Sequence, residues 1–285
     1  MRMRFACVAV VVLAIVTPAR AQQTFTGRLS DSACGASHQP RHSNNLTDRE
    51  CLIACINALA KYVLVDSSGQ VIPIANQDAM GLPFYAGRPV RLTAERRGDA
   101  IFVTKVEAIP AHLHIGHVMS NWRDTPGGRG FLPVAADEAR IAVLHARLAA
   151  KSTSLDDMKL HAGHVLHALD PTVESKGPGA GYGVKKATAG AMQHLDLAAK
   201  ADGATPSITT HAAQVSSLLS NVLQWTDQAI GVAQRIRATS DAAEASRAAA
   251  DLATLTLRIS DEGLQPAQSG MSLMLKAEGL LGASR

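Results

Sequence analysis

Aromatic side chains are scarce in this chain: 2 Trp, 3 Tyr and 5 Phe among 285 residues. Large rings therefore cannot fill its core, and abundant Ala after Ala135 points instead to helices packed closely through small side chains. Long apolar runs are missing too. The longest, from Phe5 to Val16, is too short to cross a bilayer, so no membrane span is expected. No block of Lys or Arg offers a nucleic-acid surface, and no nucleic-acid partner is expected. Catalytic signatures are absent as well. No C-x-x-C pair supports thioredoxin-like chemistry, and no C-x-x-C-H string supports covalent haem. Neither a nucleophile elbow nor a Glu-x-x-His pair occurs. The stretch from Gly177 to Gly183 is Gly-rich, but Lys185 is not followed by Ser or Thr and no strand precedes it. It reads as a turn between helices rather than a phosphate loop.

The first 21 residues read as an export signal. Arg2 and Arg4 are followed by the apolar run, and Ala19-Arg20-Ala21 is an A-x-A cleavage site. Cys7 lies too early in that run to carry a lipid at the cleavage point. Removing Arg2, Arg4 and Arg20 without any acid takes the formal charge from +4 to +1, so the basic balance belongs largely to the leader. A periplasmic or secreted location is the expectation.

The rest divides by hydrophobic period. Residues 22–110 read as a small β domain with one helix, with strands over 24–29, 62–65, 71–74, 90–94 and 101–109. Five short strands of this kind suit a small closed or half-closed barrel. Thr47-x-x-Glu50 is a capping box that opens a helix running to about Ala60. Residues 111–134, with Trp122, Pro126, a Gly127-Gly128 pair and Gly130, read as a linker or functional loop. Trp122 is expected to dock that segment onto the helical bundle. From 135 to 285 the period is helical, with helices over 136–151, 154–169, 184–201, 207–238, 241–259 and 267–281. The fold class is therefore α+β: a small β-barrel followed by an antiparallel helical bundle.

What the chain has in quantity is histidine, eleven in all. Neutral imidazole is the commonest metal ligand in proteins. Helical spacing puts His145 on a stripe with Ile141, Leu144 and Leu148, and His211 with Val215, Leu218 and Val222. His194 falls with Ala187, Ala191 and Ala198. On the helix over 154–169 the apolar stripe is Leu155, Met158, Ala162, Val165 and Leu169; His161 borders it, while His164 and His167 lie further round. One inward-tending histidine on each of four helices predicts a single bundle site of His145, His161, His194 and His211, with His164 as the substitute. His112, His114 and His117 form an H-x-H-x-x-H string able to chelate a divalent ion from a flexible loop. Copper, zinc or iron would suit these donors.

The three cysteines beyond the leader are Cys34, Cys51 and Cys55, an odd number for an oxidising compartment. A bridge from Cys34 to Cys51 or Cys55, leaving one free thiol, is the simplest outcome. Cys51 and Cys55 should not pair with each other, because a one-turn helical spacing holds their Cβ atoms roughly 5–6 Å apart. With His38, the three thiolates would make a tetrahedral zinc or soft-metal set. A third option is a reactive Cys51, whose place in the first helical turn would lower its pKa.

This segment resembles a known family. Gly27-x-x-Ser30-Asp31-Ser32-x-Cys34-Gly35-x-x-His38, then Cys51-x-x-x-Cys55, Lys61-Tyr62-Val63-Leu64-Val65 and Ala86-Gly87-x-x-Val90 are similar to a group of small exported bacterial domains of uncharacterised function. The resemblance covers 24–109. It implies an OB-type barrel, export and an integral Cys/His cluster, and no reaction. The functional expectation is an exported protein that holds a transition metal or metal cofactor. The alternatives are an interaction module with incidental histidines, docking a protein partner, and a thiol- or metal-dependent redox protein.

Overall fold

A computed structural model of the chain describes residues 21–37 and 46–280. Residues 1–20, which carry most of the expected export signal, and His38 and His42 lie outside the described residues. Five antiparallel strands, β1 (Gln23–Asp31), β2 (Tyr62–Val65), β3 (Val71–Pro73), β4 (Pro89–Arg97) and β5 (Ala100–Ala108), form one sheet in the order β3-β2-β1-β4-β5. The alternation that suggested strands is visible in β4, where Val90, Leu92 and Ala94 point into the core between more exposed neighbours. Helix α1 (Asp48–Asn57) covers this core with Leu52. Its capping box is formed: the Glu50 N–H donates to Thr47 Oγ1, and the Thr47 N–H donates to Glu50 Oε2 at 2.8 Å.

The expected barrel is not closed. The outer strands β3 and β5 do not pair; just past β3 a single parallel bridge joins Ile74 to Ile101 of β5. The reason is the shortness of β3. It has three residues and ends in Pro73, which has no N–H to extend a ladder along the nine residues of β5.

The remaining elements are helical: α2 (Pro110–Met119), α3 (Phe131–Lys151), α4 (Leu155–Leu169), α5 (Val184–Lys200), α6 (Pro206–Ala238), α7 (Ala242–Leu257) and α8 (Gln265–Ala277). A π-helical segment, Arg258–Leu264, joins α7 to α8 without a break. Buried apolar residues fall into two clusters, one under the sheet and one among these helices. The segment expected to be a linker begins with a helix. Pro110 sits in the first turn of α2, where its missing N–H costs nothing, and Ala111, Ile115 and Val118 are fully buried in the helical core.

The buried face of α3 also differs from expectation. Leu144 and Leu148 face out, at 55% and 38% exposure, while Ala135, Ala139, Ala142, Ala146 and Ala149 are buried. Helices α4, α5 and α7 all pack on α3, and only a small-residue face lets that many backbones approach. Hydrophobicity alone pointed to the leucines; close approach selected the alanines.

Helix α5 starts at Gly183, where φ is +84° and ψ 142°, and a Cβ there would lie 2.5 Å from Pro171 Cδ and 3.0 Å from the Leu169 carbonyl oxygen. Neither the conformation nor the space suits another residue. Gly183→Ala should cost about 1–3 kcal/mol from backbone strain alone. Urea unfolding checks this, and an unchanged midpoint would show that the turn relaxes.

Candidate metal centres

Six of the histidines come together as two trios. In the first, α2 supplies His114 and His117, one turn apart, and α5 supplies His194. The Nδ1 atom of His194 lies 3.0 Å from that of His114 and 3.3 Å from that of His117. In the second, α4 supplies His161 and His164, one turn apart, and α3 supplies His145. The Nδ1 atom of His145 lies 3.1 Å from that of His161 and 3.3 Å from that of His164. Within each trio the three ligand atoms lie within 4.8 Å of one another. Two nitrogens bound to one zinc at 2.0–2.1 Å in a tetrahedral arrangement would be roughly 3.3–3.4 Å apart. In each trio the two distances from the single histidine to the pair lie close to that spacing.

The first trio is walled by rings. Phe131 stacks on His194 with centroids 5.4 Å apart, and Trp122 approaches His194 at 4.8 Å and His117 at 4.7 Å. Trp122 is anchored through its backbone N–H, which donates to the Gly128 and Arg129 carbonyls at 3.1 Å each. Trp122 does dock its segment onto the helices, as expected. These apolar walls exclude water, which disfavours charging the imidazole. Burial, reinforced by the neighbouring His117 and His114, pushes His194 down to about 4. Burial, then the His114 charge, lowers His117. In the second trio burial lowers His145 and His164, with the charges of their histidine neighbours acting in the same direction. Neutral rings are the form that binds metal.

The single four-helix site does not form. His194 joins α2, His145 joins α4, and His211 joins neither. The His211 Nδ1–H donates to the Ser207 carbonyl at 2.9 Å, one turn back on its own helix. His112 is also outside both trios, its Nε2 paired with Glu278 Oε2 at 3.1 Å. His167 is buried rather than turned away, and its Nδ1–H donates to the Glu174 carbonyl at 2.9 Å. The H-x-H-x-x-H string is helical, not a flexible loop, so His112 points elsewhere while His114 and His117 share a side.

A sequence signal for this grouping exists. Leu113-His114-Ile115-Gly116-His117-Val118 on α2 repeats as Leu160-His161-Ala162-Gly163-His164-Val165 on α4. Ala142-x-x-His145-x-x-Leu148-Ala149-Ala150-Lys151 on α3 repeats as Ala191-x-x-His194-x-x-Leu197-Ala198-Ala199-Lys200 on α5. The burial of matched positions also repeats: Leu113 and Leu160 are exposed, Leu148 and Leu197 are exposed, and Ala142, Ala191, Ala149 and Ala198 are buried. The helix pair α2–α3 is thus echoed by α4–α5. Each trio crosses between the copies, taking its histidine pair from one and its single histidine from the other. Helix α6 carries an incomplete third version, His211-Ala212-Ala213-Gln214-Val215, in which Gln214 stands where the second histidine would be.

The cysteines form a third group. Cys34, Cys51 and Cys55 are all free thiols, with Cys34 Sγ 3.8 Å from each of the other two. The expected bridge is not formed. The first-turn position of Cys51 does not lower its pKa either. Burial dominates and raises all three thiols, Cys55 to about 11.

Comparison of the chain with protein-family models, curated proteins and solved structures gives no match. Among the described residues, no helix is long and apolar enough to cross a membrane.

Proposed function

We propose that this chain is an exported, non-enzymatic metal-binding protein that holds two divalent transition-metal ions, one in each histidine trio. The carrying observation is that the same arrangement occurs twice. A histidine pair one turn apart meets a single histidine from a neighbouring helix, at 3.0 and 3.3 Å in one trio and at 3.1 and 3.3 Å in the other. Rings that are buried for packing alone have no reason to converge nitrogen to nitrogen twice. Three neutral nitrogens with no carboxylate favour copper or zinc over iron, whose non-haem sites take a carboxylate beside two histidines. The proposed export rests on the Arg2/Arg4, apolar and A-x-A pattern of the leader. The proposed kinship of the β half with small exported OB-type domains rests on its Cys/His and Lys-Tyr-Val-Leu-Val strings.

The test is a zinc titration of the full chain, followed by imidazole ring-proton NMR. The expected result is that loading shifts the signals of the six trio histidines and leaves those of His112, His167 and His211 in place. Loading that leaves the six signals unmoved would sink the metal reading and favour an interaction module with incidental histidines.

A further inference from the structure

We propose that Cys34, Cys51 and Cys55 form a third metal site, chemically separate from the histidine trios, which takes a thiophilic closed-shell cation, monovalent copper or divalent zinc. The turn after β1 is built to hold Cys34. Asp31 Oδ1 accepts the N–H groups of Ala33 and Cys34, both at 2.9 Å, and the Gly35 N–H donates to the Asp31 carbonyl at 2.8 Å. Gly35 completes the turn at φ +60°, a conformation that suits glycine. Ser30 Oγ donates to the Gly35 carbonyl at 2.6 Å and closes it. From the other side, the capping box fixes the start of α1 and so places Cys51 and Cys55 one turn apart on its buried face.

The sulfur positions fit an ion better than a bridge. Two thiolates bound to one metal at 2.3 Å in tetrahedral geometry would be roughly 3.8 Å apart. Cys34 is 3.8 Å from both partners, and all three sulfurs lie within 4.8 Å of one another. A bridge would use two of the three and leave the third buried beside it, and the equal distances select neither partner. A cation uses all three. Cys51 and Cys55 are buried at 8% and 9% exposure, while Cys34 is half-buried and provides the entrance. The thiols are protonated while the site is empty, so loading exchanges three protons for one cation, forms three metal–sulfur bonds and changes no oxidation state. Sulfur donors select softer ions than imidazole does. One chain would then sort metals by donor, soft ions under the sheet and borderline divalent ions among the helices.

The experiment uses the full chain, reduced and kept anaerobic, and follows iodoacetamide alkylation of each cysteine by peptide mass. Separate samples receive one equivalent of monovalent copper or excess zinc. The expected result is that one of the two ions slows alkylation of all three thiols by at least about tenfold, because a metal-bound thiolate is a poor nucleophile. Protection by copper alone identifies the site as monovalent; protection by zinc alone identifies it as divalent. Cys34→Ser should lose the protection of Cys51 and Cys55, with its folding checked by circular dichroism. His145→Ala should keep protection intact, which separates this site from the histidine reading. Protection by neither ion would overturn the proposal. So would a Cys34–Cys51 or Cys34–Cys55 bridge in protein isolated from its native compartment without reductant.

Discussion

His194→Ala and His145→Ala are each expected to abolish one metal site and spare the other. Each residue is the single histidine whose Nδ1 faces both members of the pair on the neighbouring helix. Loss of even an outer-shell partner lowers metal affinity by about 10–100-fold, so loss of the central ligand should cost more than about 100-fold. Zinc titration by calorimetry should find one histidine-bound equivalent missing in each single variant and both missing in the double variant. The sites should be independent. Phe131, which stacks on His194, and His145 lie on the same helix, 14 residues apart, or about 21 Å at 1.5 Å per residue. His211→Ala should titrate as the wild type does, since that ring bonds its own helix. Equal loss in the His211 variant would show that the pairing is wrong.

The second large effect is on acid stability without metal. Unfolded histidines titrate near 6.5, whereas His194 is held at about 4 and His117, His145 and His164 are also lowered. Below 6.5 the unfolded chain takes up protons that these folded rings refuse. Stability is thus fully present above the unfolded value and is lost as pH falls towards the folded one. Thermal unfolding in a chelator should be flat between pH 8 and 7 and fall steadily from about 6.5 to about 5, above the carboxylate range. His194→Gln, which removes the most depressed ring, should flatten that slope. A melting temperature that ignores pH in this window would show that the rings are not held neutral. The depressed values also alter the expected behaviour of the metal. Because His194 is held at about 4, protonation of that ring does not compete with the metal at pH 6.

Much of the secondary structure was legible locally. The Thr47/Glu50 box, the alternation in β4 and the start of α4 at Ser154 all act over a few residues, and each is found. The faces were less legible. On α3 the larger side chains suggested the wrong stripe, because the number of helices that pack against it is not a local property. The site was legible as stock and as repeat, in the two L-H-x-G-H-V strings, but not as geometry. A helical wheel places residues in steps of 100°, whereas coordination requires nitrogens within a few tenths of an ångström.

By itself the sequence determined that the strands come first and most of the helices after, the supply of histidines, and Cys34, Cys51 and Cys55. Period, caps and turn residues are short-range physics, and they read the same in any context. Only the tertiary structure decided that α2 meets α5 and α3 meets α4, which splits the histidines into two trios and leaves His112 and His211 aside. It alone decided that the sheet stays open and that Cys34 lies level with both cysteines of α1. Those outcomes depend on how buried faces share a core, and a small-residue face on α3 lets neighbouring helices close in to the distance at which imidazoles on adjacent helices touch.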